Sequence, residues 1–107
     1  MGMDRDKIYI KDILGAIALI ESFITGKSLE EFSNDPMLNS AVSRQIEIIG
    51  EASNRLSDEF KDRLVQIPWP RIVGMRNFLI HDYGKVEMSE LWNAATKDIK
   101  ILKQALK

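Results

Sequence analysis

Apolar residues recur every three or four positions along almost the whole 107-residue chain. This spacing places them on one face of an α-helix, which turns by about 100° per residue. No segment alternates apolar and polar residues over the length of a strand, and no Asn-Gly pair indicates a hairpin. The pattern therefore predicts an all-α fold, an up-and-down bundle of four long helices with one or two short ones.

Capping residues mark the first two elements. A helix is expected over about residues 5–25, with Asp4 as its N-cap and Gly26 as its stop. The sequence Ser-Leu-Glu-Glu at 28–31 is typical of a capping box. It predicts a short helical turn over residues 28–32.

A long helix is expected to start at Pro36. Proline is favoured at the first helical position, where its missing N–H costs nothing, and Asp35 before it is a good N-cap. The apolar stripe continues to about Arg55, and residues 58–65 form a short helix or turn with an acidic start.

The second half begins with a rigid elbow at residues 67–70, since each proline disfavours helical geometry in the residue before it. A helix is then expected over about residues 70–83, with Gly84 as its C-cap. The last helix starts at Glu87 or Ser89 and carries lysines in its final turns, where they complement the helix dipole.

Composition limits the function classes. The chain is 45% hydrophobic and 29% charged, which is typical of soluble globular proteins, and residues 1–107 are expected to form a single domain. A net charge of −1 and a pI near 5.8 argue against general coating of nucleic acid, and no DNA contact is expected. These values do not exclude a small, local phosphate-binding site.

The absence of certain residues and segments is equally informative. There is no cysteine, which excludes disulfides and thiolate metal sites, and with a single histidine any metal site would have to rest on carboxylates. Neither a metal nor a cofactor is expected. The longest apolar run, residues 16–20, is too short to span a membrane, and the charged N-terminus does not resemble a signal peptide. We therefore expect a cytoplasmic protein.

The single histidine lies in residues 76–83, Arg-Asn-Phe-Leu-Ile-His-Asp-Tyr. In a helix, Arg76 and Tyr83 nearly eclipse one another, and Asn77 and His81 lie on the flank beside them. One broad face thus combines a guanidinium, a carboxamide, an imidazole and a phenol. These groups can grip an anion and exchange protons, whereas an ordinary polar face carries Lys and Glu.

Each of these residues also has an ordinary structural explanation. His81 near a helix C-terminus could be a dipole partner or cap. Arg76 could pair with Glu47, Glu51 or Asp82, and ion-pair networks imitate active sites. Tyr83 could be an amphipathic residue at the edge of the core with its hydroxyl in water. Spacing alone leaves both interpretations open.

RNA cleavage is a reaction that this set of groups could perform. When the 2′-hydroxyl is the nucleophile, the reaction needs a base, an acid and a cation that stabilises the charged phosphorus centre. Histidine suits proton transfer near neutral pH, and arginine matches phosphate oxygens with a planar fork. Since one chain supplies one His81, a complete acid–base pair would require two chains.

The motif also resembles a known family. Arg76, four residues, His81, one residue and Tyr83, with Asn77 after the arginine, resemble the signature of the HEPN superfamily of helical ribonucleases. Four blocks in order are similar to its HepT-like toxin family: Arg44 with residues 46–52, residues 67–69, residues 74–77 and residues 81–83.

The resemblance implies an all-helical homodimer that acts as the toxin of a two-gene module, with a minimal nucleotidyltransferase as antitoxin. It implies metal-independent endoribonuclease activity in a cleft between protomers, with RNA such as tRNA or mRNA as substrate. Arg76 would clamp the phosphate, His81 would transfer protons and Asn77 would be a positioning polar residue. In some family pairs the antitoxin transfers AMP to the motif tyrosine, here Tyr83.

Two acidic residues in the family-like block have a less defined role. Glu47 and Glu51 are interpreted as salt-bridge partners that orient Arg76. The alternative is that they take part in the catalytic site themselves. Trp69 is expected to anchor the elbow and Trp92 to lie in the core. A competing interpretation of the whole protein is a non-catalytic helical module that binds a nucleotide or a partner nucleotidyltransferase.

Overall fold

The computed structural model describes the backbone of residues 2–81 and 87–107, and the side chains of residues 4–75 and 87–107. Within these residues the regular elements are all helical, which confirms the all-α part of the prediction. The elements are α1 (Gly2–Ile24), α2 (Leu29–Ser33), α3 (Pro36–Arg55), α4 (Asp58–Arg63), α5 (Trp69–His81), α6 (Met88–Asn93), a π-helical turn (Ala94–Asp98) and α7 (Ile99–Leu106).

The predicted caps of α2 and α3 are present. The Ser28 hydroxyl accepts a hydrogen bond from the Glu31 amide at 3.1 Å, and the Glu31 carboxylate accepts one from the Ser28 amide at 3.1 Å. Asp35 accepts a hydrogen bond from the Leu38 amide at 3.1 Å. Gly26 follows α1 with φ of 74°, a left-handed conformation that glycine adopts at little cost. These local boundaries are therefore confirmed.

Other boundaries differ from the prediction. Helix α1 begins at Gly2, so Asp4 lies in its first turn rather than at the N-cap, where its charge still complements the helix dipole. Helix α4 ends at Arg63, earlier than predicted, and its N-cap is Ser57. The predicted end of α5 at Tyr83, with its C-cap Gly84, lies outside the described residues.

The last predicted helix is interrupted by a π-helical turn, and we refer to α6, this turn and α7 together as the last helical stretch. Glu87 precedes α6 as the N-cap residue, and the backbone stays in the right-handed helical region through the π turn into α7. A π turn holds one residue more than an α turn and so shifts the register of the residues after it. The core positions before and within the turn, Leu91 and Ala95, and those after it, Ile99 and Leu102, are all buried.

Helix α3 lies at the centre of the packing and contacts both α1 and α5. Helix α2 packs against α6, where the Phe32 and Trp92 rings lie 5.2 Å apart, consistent with the predicted core role of Trp92. Helix α7 contacts α1, and Lys103 binds both carboxylate oxygens of Glu21 at 3.0 Å. None of the helices in the described part of the chain is long and apolar enough to cross a membrane.

Candidate active site

Helix α5 carries residues 76–81 of the predicted motif, and its start is fixed by a buried tryptophan. The Trp69 indole N–H donates to the carbonyl oxygens of Lys61 and Leu64, both at 3.1 Å, and its side chain is 8% exposed. The Pro68 carbonyl accepts hydrogen bonds from the next turn of backbone. Trp69 is thus a packing anchor that joins the end of α4 to α5, as the sequence predicts.

The backbone is continuously helical from Trp69 to His81, so Arg76, Asn77 and His81 lie on one helix at the predicted spacing. The side chains of these three residues, and the whole of Tyr83, lie outside the part of the chain that the structure describes. Their roles therefore remain predictions, and the helix register is the geometry on which they depend.

The register of α5 is set by its packed face. Ile72 and Met75 are 1% and 2% exposed, and α5 packs against α3. Position 76 follows Ile72 by four residues, about 40° around the axis, and so lies at the edge of the packed face. Position 81 follows Ile72 by nine residues, about 180° around the axis, on the opposite side. The predicted broad face therefore extends from the core edge to the far side of the helix.

The two acidic candidates lie on α3, the helix that packs against α5. Glu47 is half-buried, with its carboxylate 3.6 Å from the Arg44 guanidinium in an (i, i+3) pair. Glu51 lines a groove between α1 and α3, next to Tyr9, Asp12 and Arg55. The predicted bridge from either glutamate to Arg76 involves a side chain outside the described residues and stays a prediction.

A second groove lies between α5 and the last helical stretch. The α5 wall is formed by Arg71, Gly74 and Met75. The opposite wall is formed by Glu90, Asn93, Ala94 and Asp98, and the groove has a volume of about 360 Å³. Its two walls are joined by an ion pair, in which Arg71 donates from Nε and Nη2 to one Asp98 carboxylate oxygen at 3.3 and 3.2 Å.

No sequence pattern indicates this groove. Arg71 and Asp98 are separated by 27 residues, and no local spacing rule connects them. Asp98 is also the last residue of the π turn. The one hint is that π turns often occur at functional sites, but the π turn itself is visible only in the structure.

Acidic side chains do not gather into a metal site in the described part of the chain. Among the side chains of residues 4–75 and 87–107, no three His, Cys, Asp or Glu residues converge closely enough to hold a metal ion.

Comparison with models of known protein families identifies the family of this chain. The family model described as "Ribonuclease HepT-like" matches residues 13–107, a range that includes the whole of α5 and of α3, the helix that packs on it. The chain belongs to the HepT-like ribonuclease family. The predicted resemblance is therefore confirmed at the level of the family.

Individual relatives agree with this assignment. "Probable ribonuclease HepT" of Thermococcus cleftensis is 42% identical over 91% of this chain and 88% of its own length. "Putative RNase TTE0752" of Caldanaerobacter subterraneus is 36% identical over 98% and 94% of the two chains. No solved structure matches the chain.

One relative is much longer. "Gamma-glutamylcyclotransferase and putative RNase MJ0434" of Methanocaldococcus jannaschii is 40% identical over 94% of this HepT-like chain. The chain spans 45% of the length of that relative.

Proposed function

We propose that this HepT-like chain is a metal-independent endoribonuclease that acts as the toxin of a two-gene toxin–antitoxin module. The observation that carries the proposal is the family match over residues 13–107, which includes the continuous helix bearing Arg76 and His81. The names of its relatives, which refer to ribonuclease activity, point the same way. The substrate is RNA, with tRNA or mRNA as the candidate classes, and the site of action is the cytoplasm.

The proposed reaction is an internal transesterification of the RNA backbone. The 2′-oxygen of one nucleotide attacks the adjacent phosphorus, and the bond from phosphorus to the 5′-oxygen of the next nucleotide breaks. A base removes the proton of the 2′-hydroxyl, and an acid gives a proton to the departing 5′-oxygen. The products are a 2′,3′-cyclic phosphate and a 5′-hydroxyl, so no water is consumed in this step.

Each proposed catalytic residue has a defined task. Arg76 binds the non-bridging phosphate oxygens, whose negative charge increases in the transition state. His81 is the proton-transfer group, because imidazole can both accept and donate a proton near neutral pH. Asn77 positions the RNA or the imidazole. Glu47 and Glu51 orient Arg76 from the neighbouring helix α3.

The register of α5 supports a site shared between two copies of the chain. Positions 76 and 81 lie about 140° apart around the axis of α5, at two well-separated places on its circumference. A twofold axis beside α5 would bring a second copy of the same helix into one cleft. Two His81 side chains, one from each protomer, would then serve as base and acid.

The proposed regulation comes from the family. The antitoxin would be a minimal nucleotidyltransferase that silences the enzyme by transferring AMP to Tyr83. In that step the phenol oxygen attacks the α-phosphorus of ATP, pyrophosphate leaves, and the phenol loses its proton. The added phosphodiester places a negative charge beside the RNA-binding face, where it would repel the substrate backbone.

One observation favours a second candidate, a non-catalytic helical module that binds a nucleotide or the partner nucleotidyltransferase. The net charge of −1 does not provide the basic surface typical of proteins that bind RNA by charge alone. Under this candidate the Arg76, Asn77 and His81 face would bind the partner without breaking a bond.

The test is cleavage of single-stranded RNA by the purified protein in the presence of EDTA. We expect cleavage to persist, to leave 2′,3′-cyclic phosphate ends, and to fall by about 10²-fold or more in His81→Ala. The matched control is Gln104→Ala, an exposed polar residue of α7. A strict requirement for a metal ion, or undiminished activity in His81→Ala, would refute the proposal.

A further inference from the structure

The groove between α5 and the last helical stretch has no role in the proposed reaction, although it lies on the helix that carries the motif. Its floor is apolar, since Met75 and Ala94 are both buried and reach it from opposite walls. Three exposed polar residues also line it, Glu90 and Asn93 on one wall and Arg71 on the other. An apolar floor with a few polar residues in the lining is typical of a small-molecule site.

Gly74 lies in the α5 wall of the groove. A Cβ built at Gly74 would meet no other atom within 4 Å, so its absence is not required by packing against the described residues. A mid-helix glycine costs about 1 kcal/mol relative to alanine. Because Gly74 has no side chain, the helix backbone is accessible at this point of the groove. A planar ring can therefore lie closely against it.

The charges in the groove are of mixed sign and are partly compensated. Arg71 is held by Asp98, whose side chain is only 15% exposed, so its positive charge is paired within the groove. Glu90 adds a second carboxylate to the lining. With one guanidinium and two carboxylates, the groove has no excess positive charge to attract a phosphate.

The same groups fit the edge of a nucleobase. A carboxylate accepts hydrogen bonds from amino groups, and a carboxamide both donates and accepts. These are the side chains that distinguish bases carrying an exocyclic amino group. Uracil has no such group and would leave the Glu90 carboxylate without a donor of that kind.

The groove lies close to the proposed catalytic position. Position 81 follows Gly74 by seven residues, which is about 10 Å along the helix and nearly the same direction around it. That distance is comparable with the spacing of one or two nucleotides in an extended strand. A base in the groove and a phosphate at position 81 could therefore belong to the same RNA.

We propose that this groove binds a single nucleobase of the RNA substrate next to the scissile phosphate and selects a base with an exocyclic amino group over uracil. The assignment rests on the proposed function. Glu90 and Asn93 read the base edge, Met75, Ala94 and the Gly74 backbone contact its ring, and Arg71 is held in place by Asp98. None of these residues takes part in the proposed bond breaking.

The experiment measures binding rather than cleavage. Fluorescence anisotropy gives the affinity of the His81→Ala protein for short single-stranded RNAs in which one position at a time carries A, C, G or U. We expect uracil at one position to weaken binding by about tenfold relative to the preferred base, the size of one good side-chain-to-base contact. When Glu90→Ala or Asn93→Ala is added to the His81→Ala protein, the affinities for uracil and for the preferred base should become nearly equal.

Two control variants separate this effect from general changes. Glu30→Ala removes one exposed helical carboxylate outside the groove, and Gln104→Ala removes one exposed carboxamide. Both should keep the base preference of the His81→Ala parent. Because Glu90 and Asn93 are exposed and helical, their alanine variants should fold, which circular dichroism checks.

The outcomes distinguish this inference from the proposed function. A parent protein without any base preference or RNA affinity, or a preference that survives both groove variants, would overturn the assignment of the groove. A preference that depends on Glu90 or Asn93 supports it, even if the wild-type protein fails to cleave RNA. That failure would count against the ribonuclease proposal alone.

Discussion

The carboxylate of Asp6 on α1 accepts two hydrogen bonds from Ser57, one from its backbone amide at 2.8 Å and one from its hydroxyl at 2.6 Å. The same hydroxyl accepts a hydrogen bond from the Phe60 amide at 3.1 Å and so caps α4. Asp6 is 2% exposed and is separated from Ser57 by 51 residues. This chain of hydrogen bonds fastens the first helix to the start of the fourth.

Replacing Asp6 should therefore lower the stability of the fold. In Asp6→Asn, one of the two oxygen acceptors becomes an NH₂ group, so the Ser57 amide or hydroxyl loses the oxygen to which it donates. We expect the free energy of unfolding to fall by about 1–3 kcal/mol, since a buried polar group loses its partner. Urea unfolding followed by circular dichroism measures this. Asp12→Asn, an exposed position on the same helix, should change the midpoint little; equal effects would contradict the structural role of Asp6.

The Trp69 anchor gives a second prediction about stability. Trp69→Phe keeps an aromatic ring in the core but removes the N–H that donates to Lys61 and Leu64. We expect the free energy of unfolding to fall by about 1–3 kcal/mol, because two carbonyls each lose one of their donors, while RNA affinity stays unchanged. The control is Val65→Ala at an exposed position of the same segment. Weakened RNA affinity without a loss of stability would instead indicate that Trp69 stacks on a base.

Growth tests the toxin proposal in cells. Expression of the chain without its partner gene should arrest growth, because uncontrolled RNA cleavage stops translation. Arg76→Ala should restore growth at the same protein level, since the transition state loses its cation. Arg63→Ala is a matched control on the exposed surface of α4 and should remain toxic. Toxicity that persists in Arg76→Ala would favour a binding role over catalysis.

Mixed protomers test the shared site. If each cleft needs His81 from both chains, then co-expression of wild-type and His81→Ala chains in equal amounts leaves about one quarter of the activity in a random mixture of dimers. Independent sites in each chain would leave about half. Sedimentation velocity at micromolar concentration should show a dimer, and a monomer there would contradict a composite site. Mixing with Glu30→Ala chains should cause no loss.

Intact mass spectrometry tests the proposed modification. The protein should gain mass in steps of one AMP when it is co-expressed with a neighbouring nucleotidyltransferase gene, and fragment masses should locate the addition at Tyr83. Tyr83→Phe removes the attacking oxygen and should stay unmodified, with Tyr9→Phe as the matched control that still gains AMP. If the wild-type mass is the same with and without co-expression of the neighbouring gene, the modification is contradicted and inhibition by complex formation is left as the mode of silencing.

The features that the sequence predicts are those whose causes lie close together in the chain. The Ser28–Glu31 capping box and the Asp35–Pro36 start of α3 depend on hydrogen bonds that span three residues, so the local sequence specifies them. The motif of α5 is recognisable for the same reason, because Arg76 and His81 are close in sequence and lie on one helix. The start of α1 is less predictable, since Asp4 is an equally good residue for the first turn.

The sequence by itself determined the helical class, most of the caps and the family, because periodicity, capping and motif spacing are all properties of short segments. Only the tertiary structure decided which distant residues meet. The Asp6–Ser57 fastening and the Arg71–Asp98 pair join parts of the chain that no local spacing relates. The π turn that contains Asp98 interrupts a helix that periodicity alone predicts as continuous. The geometry of the two contacts depends on how α1, α3, α5 and the last helical stretch pack together, since buried polar groups and core stripes must find partners across helices.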